Sequence, residues 1–170
     1  MTQPINIALV GASGVVGTKI MQLLEKKAFP INHFYPLGSS SVGQVVTLNG
    51  AEYSIEDTNN FDASLVDLTI LSAGSSVAES YAKDFVAAGS YVIDLSSHFR
   101  YEEDVPLIIP EINGALVEAL ENPTLIANPN CSTSQLLMAL KPIHDELSIE
   151  FINIATYQAV SGTGKAAVEE

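Results

Sequence analysis

The sequence holds one cysteine, one arginine and no tryptophan, and its seven lysines and arginines stand against 20 acidic residues. Each scarcity excludes something. A single cysteine forms no internal disulfide, which fits a reducing compartment and points to the cytoplasm. Nucleic-acid affinity is dominated by lysine and arginine clustered on phosphates. With scattered cations and a net charge of −13, no nucleic-acid partner is expected. No apolar run reaches the roughly 18 residues that a membrane span needs, so no membrane partner is expected either. The start, "MTQPINIALVG", enters an apolar strand pattern without the basic and apolar regions of a secretory signal. No metal site is expected. Rarity makes the remaining cations informative, Arg100 above all.

What is present is a foldable core. Hydrophobic residues make up 47% of 170, enough for one sizeable domain, or one domain and the beginning of another. "INIALV" (5–10) is a short β-branched and aliphatic run, the pattern of a buried strand. A glycine-rich turn and a helical segment over 15–27 follow it. Further strands are expected at 32–38, 66–74, 90–96 and 124–130. "QVVTLNGAEYSI" (44–55) reads as a hairpin about Asn49-Gly50. An amphipathic helix over 76–89 closes at Gly89. A short helix is expected near 114–120 and a longer one over 131–146.

Strands alternating with helices of 10–15 residues make βαβ units. The fold class expected is therefore α/β, a Rossmann-like, doubly wound, mostly parallel sheet over residues 1–130. Beyond it, "IEFINIATYQAVSG" (149–162) alternates strongly and predicts a long strand, and "TGKAAVEE" predicts the start of a helix. Residues 131–170 are thus expected to begin a second α+β domain, catalytic and dimerising, that is incomplete at residue 170. A small appendage folded back on the first domain is the alternative.

Two local patterns carry chemistry. "GASGVVG" (11–17) lies directly between the first strand and the first helix. There Gly11 permits a tight turn, Gly14 allows close approach of a pyrophosphate, and Gly17 lets helix and strand pack closely. The phosphates then meet the N–H groups and positive end of the helix. A reader of the NAD ribose places an acid at the end of the second strand. This chain has "LGSSSVGQ" (37–44) there, whose hydroxyls and N–H groups suit a 2′-phosphate and favour NADP. A turn that serves packing alone is the competing reading of the glycines.

The second pattern is "LIANPNCSTSQLL" (125–137), which sets the lone cysteine at the mouth of a helix. Unpaired N–H groups and the dipole there favour a thiolate, the reactive form of the side chain. The same donors can hold a developing oxyanion. Polar neighbours on both sides fit poorly with the alternative, a structural cysteine in a core.

Four stretches together, "GASGVVG" (11–17), "SSHFRYEEDVPLIIPEIN" (96–113), "NPNCSTSQL" (128–136) and "TYQAVSGTGKAAVEE" (156–170), closely resemble the aspartate-semialdehyde dehydrogenase family. The cysteine motif differs from those of related acyl-phosphate reductases, which look like Ser-Cys-Thr-Thr-Asn or Cys-Tyr-Pro-Thr. The resemblance implies an NADP-dependent oxidoreductase of aspartate-family amino-acid biosynthesis, towards lysine, threonine and methionine. It implies that Cys131 attacks the acyl carbon of aspartyl phosphate, and that the resulting thioester is reduced to the semialdehyde. It further implies a homo-oligomer, dimer or tetramer, built largely through the second domain.

Carried over residue by residue, the resemblance places Ser13, Gly14, Val15 and Val16 against the pyrophosphate. It places Ser39 and Ser40 at the 2′-phosphate, and Ser161 and Gly162 at the nicotinamide end. Many members have an arginine in the serine loop that this chain lacks. Arg100 matches the arginine that holds the substrate phosphate, which suits its forked donors. Asn130 matches a residue beside that phosphate, and Gln158 an amide that orients substrate near the sulfur. His33, His98 and His144 are read as structural; His144 lies roughly 20 Å along a helix from Cys131 at 1.5 Å per residue. The histidine of the family pattern, and its groups for the substrate's amino and carboxylate ends, correspond to positions past 170. Little turnover is therefore expected of the 170 residues alone. A non-catalytic dinucleotide-binding paralogue or regulatory module of the same fold is the alternative function, and a structural protein of this shape a third.

Overall fold

The computed structural model describes residues 3–160. Two compact units are present, Met1–Asn130 and Cys131–Glu170. The first is built on eight strands: β1 (Ile5–Val10), β2 (Ile31–Gly38), β3 (Val45–Leu48), β4 (Ala51–Ser54), β5 (Glu56–Asp57), β6 (Leu68–Leu71), β7 (Tyr91–Asp94) and β8 (Leu125–Ala127). Its helices are α1 (Val15–Lys26), α2 (Ser75–Ala87) and two single turns, α3 (Pro110–Asn113) and α4 (Ala115–Glu118). Six strands form one sheet in the order β5-β2-β1-β6-β7-β8, and every pairing in it is parallel.

β1 shows why its sequence reads as a continuous apolar run. Side chains alternate across a strand, and both faces of this sheet are covered. Ile7 and Leu9 enter a core with Met21 of α1, Phe34, Leu48, Ile55 and Ile70. Ala8 and Val10 enter the opposite core with Leu37, Leu71, Val92 and the α2 residues Ala78, Ala82 and Phe85. The β3–β4 hairpin turns on Asn49 (φ 51°) and Gly50 (φ 76°), both left-handed as a type I′ turn requires. The backbone N–H of Asn49 donates to the Glu25 carboxylate, tying the hairpin to α1. Both long helices of this unit end alike. Phe29 and Ala28 donate back to Leu24 and Glu25 after α1, and Ser90 and Gly89 to Phe85 and Val86 after α2. A left-handed residue follows each helix, Ala28 at φ 46° and Gly89 at φ 100°.

The second unit contains α5 (Cys131–Leu147), with Pro142 inside it and no buried residue. One expectation fails here. Residues 149–159 form no strand despite their alternation. A strand is held by a ladder to a neighbour, and among the described residues no strand pairs with this one. Phe151 stays 81% exposed and Tyr157 99%. The expected helix from "TGKAAVEE", like Ser161 and Gly162, lies outside the described residues.

Candidate active site

Because all six strands run the same way, their C-terminal ends share one edge of the sheet. Successive strands leave β1 in opposite directions, to β2 on one side and β6 on the other. Parallel sheets bind ligands in the crevice at such a reversal of strand order. Four loops at this edge are ones the sequence singled out in the first unit, 11–14 after β1, 39–43 after β2, 95–100 after β7 and 128–130 after β8, and they are joined there by 72–74 after β6.

The glycine loop is tightly determined. Gly11 sits at φ 87° and donates its N–H to Leu37 at 2.8 Å. A Cβ on Gly11 would come within 3.0 Å of Ala73 and of the Ser72 hydroxyl. That hydroxyl donates to the Val10 carbonyl at 2.8 Å, so the loops after β1 and β6 are joined. A Cβ on Gly17 would overlap the Gly11 carbonyl oxygen and lie 2.9 Å from two Ala12 backbone atoms. Gly14 caps α1 without a side-chain hydrogen bond, and no acid occupies the first turn. Ser13, Gly14, Val15 and Val16 are all exposed. A cradle closed by backbone, open above Gly14 and free of negative side chains fits a pyrophosphate.

At the end of β2, Ser39 and Ser40 are exposed, whereas Ser41 turns inward to within 2.6 Å of where a Gly38 Cβ would be. The loop returns to the sheet through the Gly43 N–H on Ile55 and the Ile55 N–H on Gln44. Asp57, on β5, stands in register beside Gly38. Its carboxylate accepts from the Asn59 backbone N–H at 3.0 Å and from the Asn59 and Asn60 amides at 2.8 Å each. Those bonds, the backbone one first, hold its pKa below the ordinary aspartate range.

Arg100 is half-buried beyond β7. Its Nε donates to the Asn128 carbonyl at 2.9 Å and its Nη2 to the Leu95 carbonyl at 3.2 Å. The guanidinium thereby bridges the ends of β7 and β8, its Asn128 partner lying 28 residues further along the chain. Those two donors form one edge of the planar group, and the Nη1–Nη2 end is the edge suited to a bidentate oxyanion. At the end of β7, the fully buried Asp94 carboxylate accepts from the Ser96 N–H and hydroxyl at 2.8 and 2.7 Å. His98 donates its backbone N–H to the Ser96 hydroxyl at 3.1 Å, and its ring stands edge-on to Phe99 at 4.5 Å. His33 is exposed on β2.

In the second unit Cys131 is the first residue of α5, exposed and in no disulfide. No acid lies in the helix's first turn, and the Gln135 amide donates to the Cys131 carbonyl at 3.1 Å. The thiol therefore sits at the N-terminal end of α5, the positive end of the helix dipole. His144 lies in the last turn of the same helix. Gln158 is exposed within the irregular segment. Asn130 is exposed at the end of the first unit, next in the chain to Cys131.

Residues 6–120 match the family model described as semialdehyde dehydrogenase, NAD binding domain. The chain belongs to the semialdehyde dehydrogenase family. Residues 140–170 match a second model of this family, semialdehyde dehydrogenase, dimerisation domain. Similar proteins include the aspartate-semialdehyde dehydrogenase of Shewanella sp. strain DB6705, 48% identical over 100% of this chain and 51% of the relative. That of Legionella pneumophila is 48% identical over 100% of this chain and 49% of its own length. A solved structure of aspartate semialdehyde dehydrogenase II from Vibrio cholerae, complexed with ASA, superposes with a TM-score of 0.94 at 41% identity. It covers 99% of this chain, which in turn covers 50% of it. The chain spans about half the length of the curated relatives it matches.

The fold expected for a semialdehyde dehydrogenase is thus observed: a doubly wound sheet, wholly parallel in its main body, and then the start of the dimerisation domain. Sequence reasoning passed over Asp94, Ser96 and Asn128. The Asp-x-Ser spacing at the end of β7 is the signal that could have found the first two, since it favours a local side-chain-to-backbone turn. Nothing local marks Asn128 as the partner of Arg100.

Proposed function

We propose that this chain carries the cofactor-binding and nucleophilic part of an NADP-dependent aspartate-semialdehyde dehydrogenase. The reaction is reductive dephosphorylation of L-aspartyl 4-phosphate to L-aspartate 4-semialdehyde, by a cytoplasmic enzyme that is a homo-oligomer at full length. The single observation that carries the reading is the exposed thiol heading a helix in a chain whose lone arginine is bridged across the β7 and β8 ends. Gly11, Ser13, Gly14, Val15 and Val16 hold the pyrophosphate. Ser39 and Ser40 offer hydroxyls to the 2′-phosphate, and the nearest acid in register, Asp57, is already engaged by amide donors. Ser161 and Gly162 complete the nicotinamide end.

The chemistry divides among few groups. Arg100 binds the phosphate, with Asn130 also beside that group, and neutralises the charge that grows on it as the acyl C–O bond breaks. The Cys131 Sγ forms the new bond to the acyl carbon, phosphate departs with the C–O electron pair, and an enzyme thioester remains. Gln158 orients the acyl group. When bound, NADPH supplies the hydride that converts the thioester carbonyl to aldehyde, and Cys131 leaves as thiolate.

Two half-reactions test this without turnover. The 170-residue chain is expected to quench or enhance NADPH fluorescence saturably, more tightly than NADH. Its Cys131 is expected to react with iodoacetamide faster than the same thiol in urea, and to become acylated by aspartyl phosphate generated in situ. Binding of NADPH with a sluggish, non-acylated thiol would favour a non-catalytic paralogue. Absence of both would overturn the reading.

A further inference from the structure

The proposed chemistry makes no use of the Asp94 carboxylate, which has no exposed surface. A carboxylate removed from water is strongly disfavoured unless hydrogen-bonded or paired. Among the described residues the one ion pair is Lys141–Asp145, so Asp94 has no cation within that reach. Its donors are the Ser96 N–H and hydroxyl. Both belong to the loop that delivers Arg100, and the Ser96 hydroxyl passes the constraint on to the His98 N–H.

The main chain of the same residue completes a circuit. The Asp94 carbonyl accepts from Asn128 at 2.8 Å, and the Asn128 carbonyl accepts from Arg100 Nε at 2.9 Å. Arg100 Nη2 then reaches the Leu95 carbonyl, while Leu95 itself is pinned to β6 by its N–H on Leu71 at 3.0 Å. Leu95 stands between Asp94 and Ser96, so the turn held by the carboxylate sets where that carbonyl points. We infer that Asp94 is a positioning residue for Arg100: by gripping Ser96 its carboxylate aims the Leu95 carbonyl, while its own carbonyl holds Asn128, so that both acceptors meet one edge of the guanidinium and leave the Nη1–Nη2 end to meet an oxyanion. This rests on the reading of Arg100 as the phosphate holder, and the test separates the two.

Arg100 is the only arginine, so its side-chain Nε–H gives a signal of its own in a 15N-labelled chain. In the native chain that proton is expected to exchange slowly with water, and its signal to move on titration with inorganic phosphate. In Asp94→Asn the exchange is expected to quicken, and the phosphate dissociation constant to rise, each on the order of tenfold. Ser96→Ala, which keeps the backbone bond to Asp94 and loses the hydroxyl, is expected to fall between. A role confined to stability would lower the melting temperature and leave Arg100 exchange in the folded state unchanged. That result in Asp94→Asn would overturn the inference, and if that variant does not fold, the same result in Ser96→Ala decides against it. A native Arg100 signal indifferent to phosphate would sink the phosphate-holding reading alone, because the exchange measurement needs no ligand.

Discussion

Replacing each glycine of the 11–17 loop by alanine separates what the loop does for the fold from what it does for a ligand. At Gly17 the added methyl meets three backbone atoms, the Gly11 oxygen and two atoms of Ala12, none of which can rotate away. Overpacking typically costs about 1–3 kcal/mol, and this contact belongs at the upper end. The better helix propensity of alanine returns about 1 kcal/mol. The net loss is therefore about 2 kcal/mol, a fall in melting temperature of about 4–8 °C for a chain of this size. At Gly14 the methyl would stand 3.2 Å from the Gly11 oxygen and otherwise in the open. The fold then loses only the N-cap preference, about 1 kcal/mol or less. NADPH affinity behaves in the reverse sense. Gly14→Ala puts a methyl at the proposed pyrophosphate site, and the loss of even one charge-assisted hydrogen bond there is expected to be on the order of tenfold. Scanning calorimetry and NADPH fluorescence titration on the two variants read both quantities. The reasoning fails if Gly17→Ala melts at or above the native temperature. It fails equally if Gly14→Ala binds NADPH normally while unfolding as easily as Gly17→Ala.

Truncating Phe85, 3% exposed on α2 and packed 6.3 Å from the Phe61 ring, is expected to cost about 3–5 kcal/mol in urea unfolding; a cost below about 1 kcal/mol would mean that this core does not close as described. Arg100→Lys keeps the charge but cannot span the Leu95 and Asn128 carbonyls with a planar fork, so phosphate affinity by calorimetry should drop on the order of tenfold, and an unchanged value would place the anion elsewhere. Asp57 is held below the ordinary aspartate range chiefly by the Asn59 N–H, and Asp62 by the Ser64 hydroxyl and then its N–H. A depressed carboxyl stabilises the native state above its unfolded pKa and loses that contribution as pH falls through the folded one. The 3₁₀ turns Thr58–Asn60 and Ala63–Leu65 should therefore loosen only below the usual aspartate range. Carboxyl 13C titration of either residue at or above the ordinary value would contradict this.

Much of the fold was legible because its signals are local. A type I′ turn needs two left-handed residues in succession, and Asn49-Gly50 supplies them. A helix end needs one left-handed residue, and Gly89 supplies it at the close of α2. The β1 run is continuous because both sheet faces are covered, and glycine at 14 and 17 follows from backbone atoms of Gly11 and Ala12 within seven residues. Cysteine at a helix mouth is likewise written in a few consecutive residues.

Partner choice over long separations is a different matter. Nothing near Arg100 states that its guanidinium will rest on Asn128, or that Asp57 will stand beside Gly38. Alternation over 149–159 could not become a strand by itself, since a ladder takes a second strand. The amino-acid order alone determined the periods, the turns and the place of the lone thiol, all effects of neighbours within a few bonds. Only the tertiary structure decided which strand ends meet, and so which carbonyls accept from the lone arginine and that a carboxylate is buried at the end of β7, because hydrogen-bond partners far apart in the chain are chosen by the packing of the whole sheet.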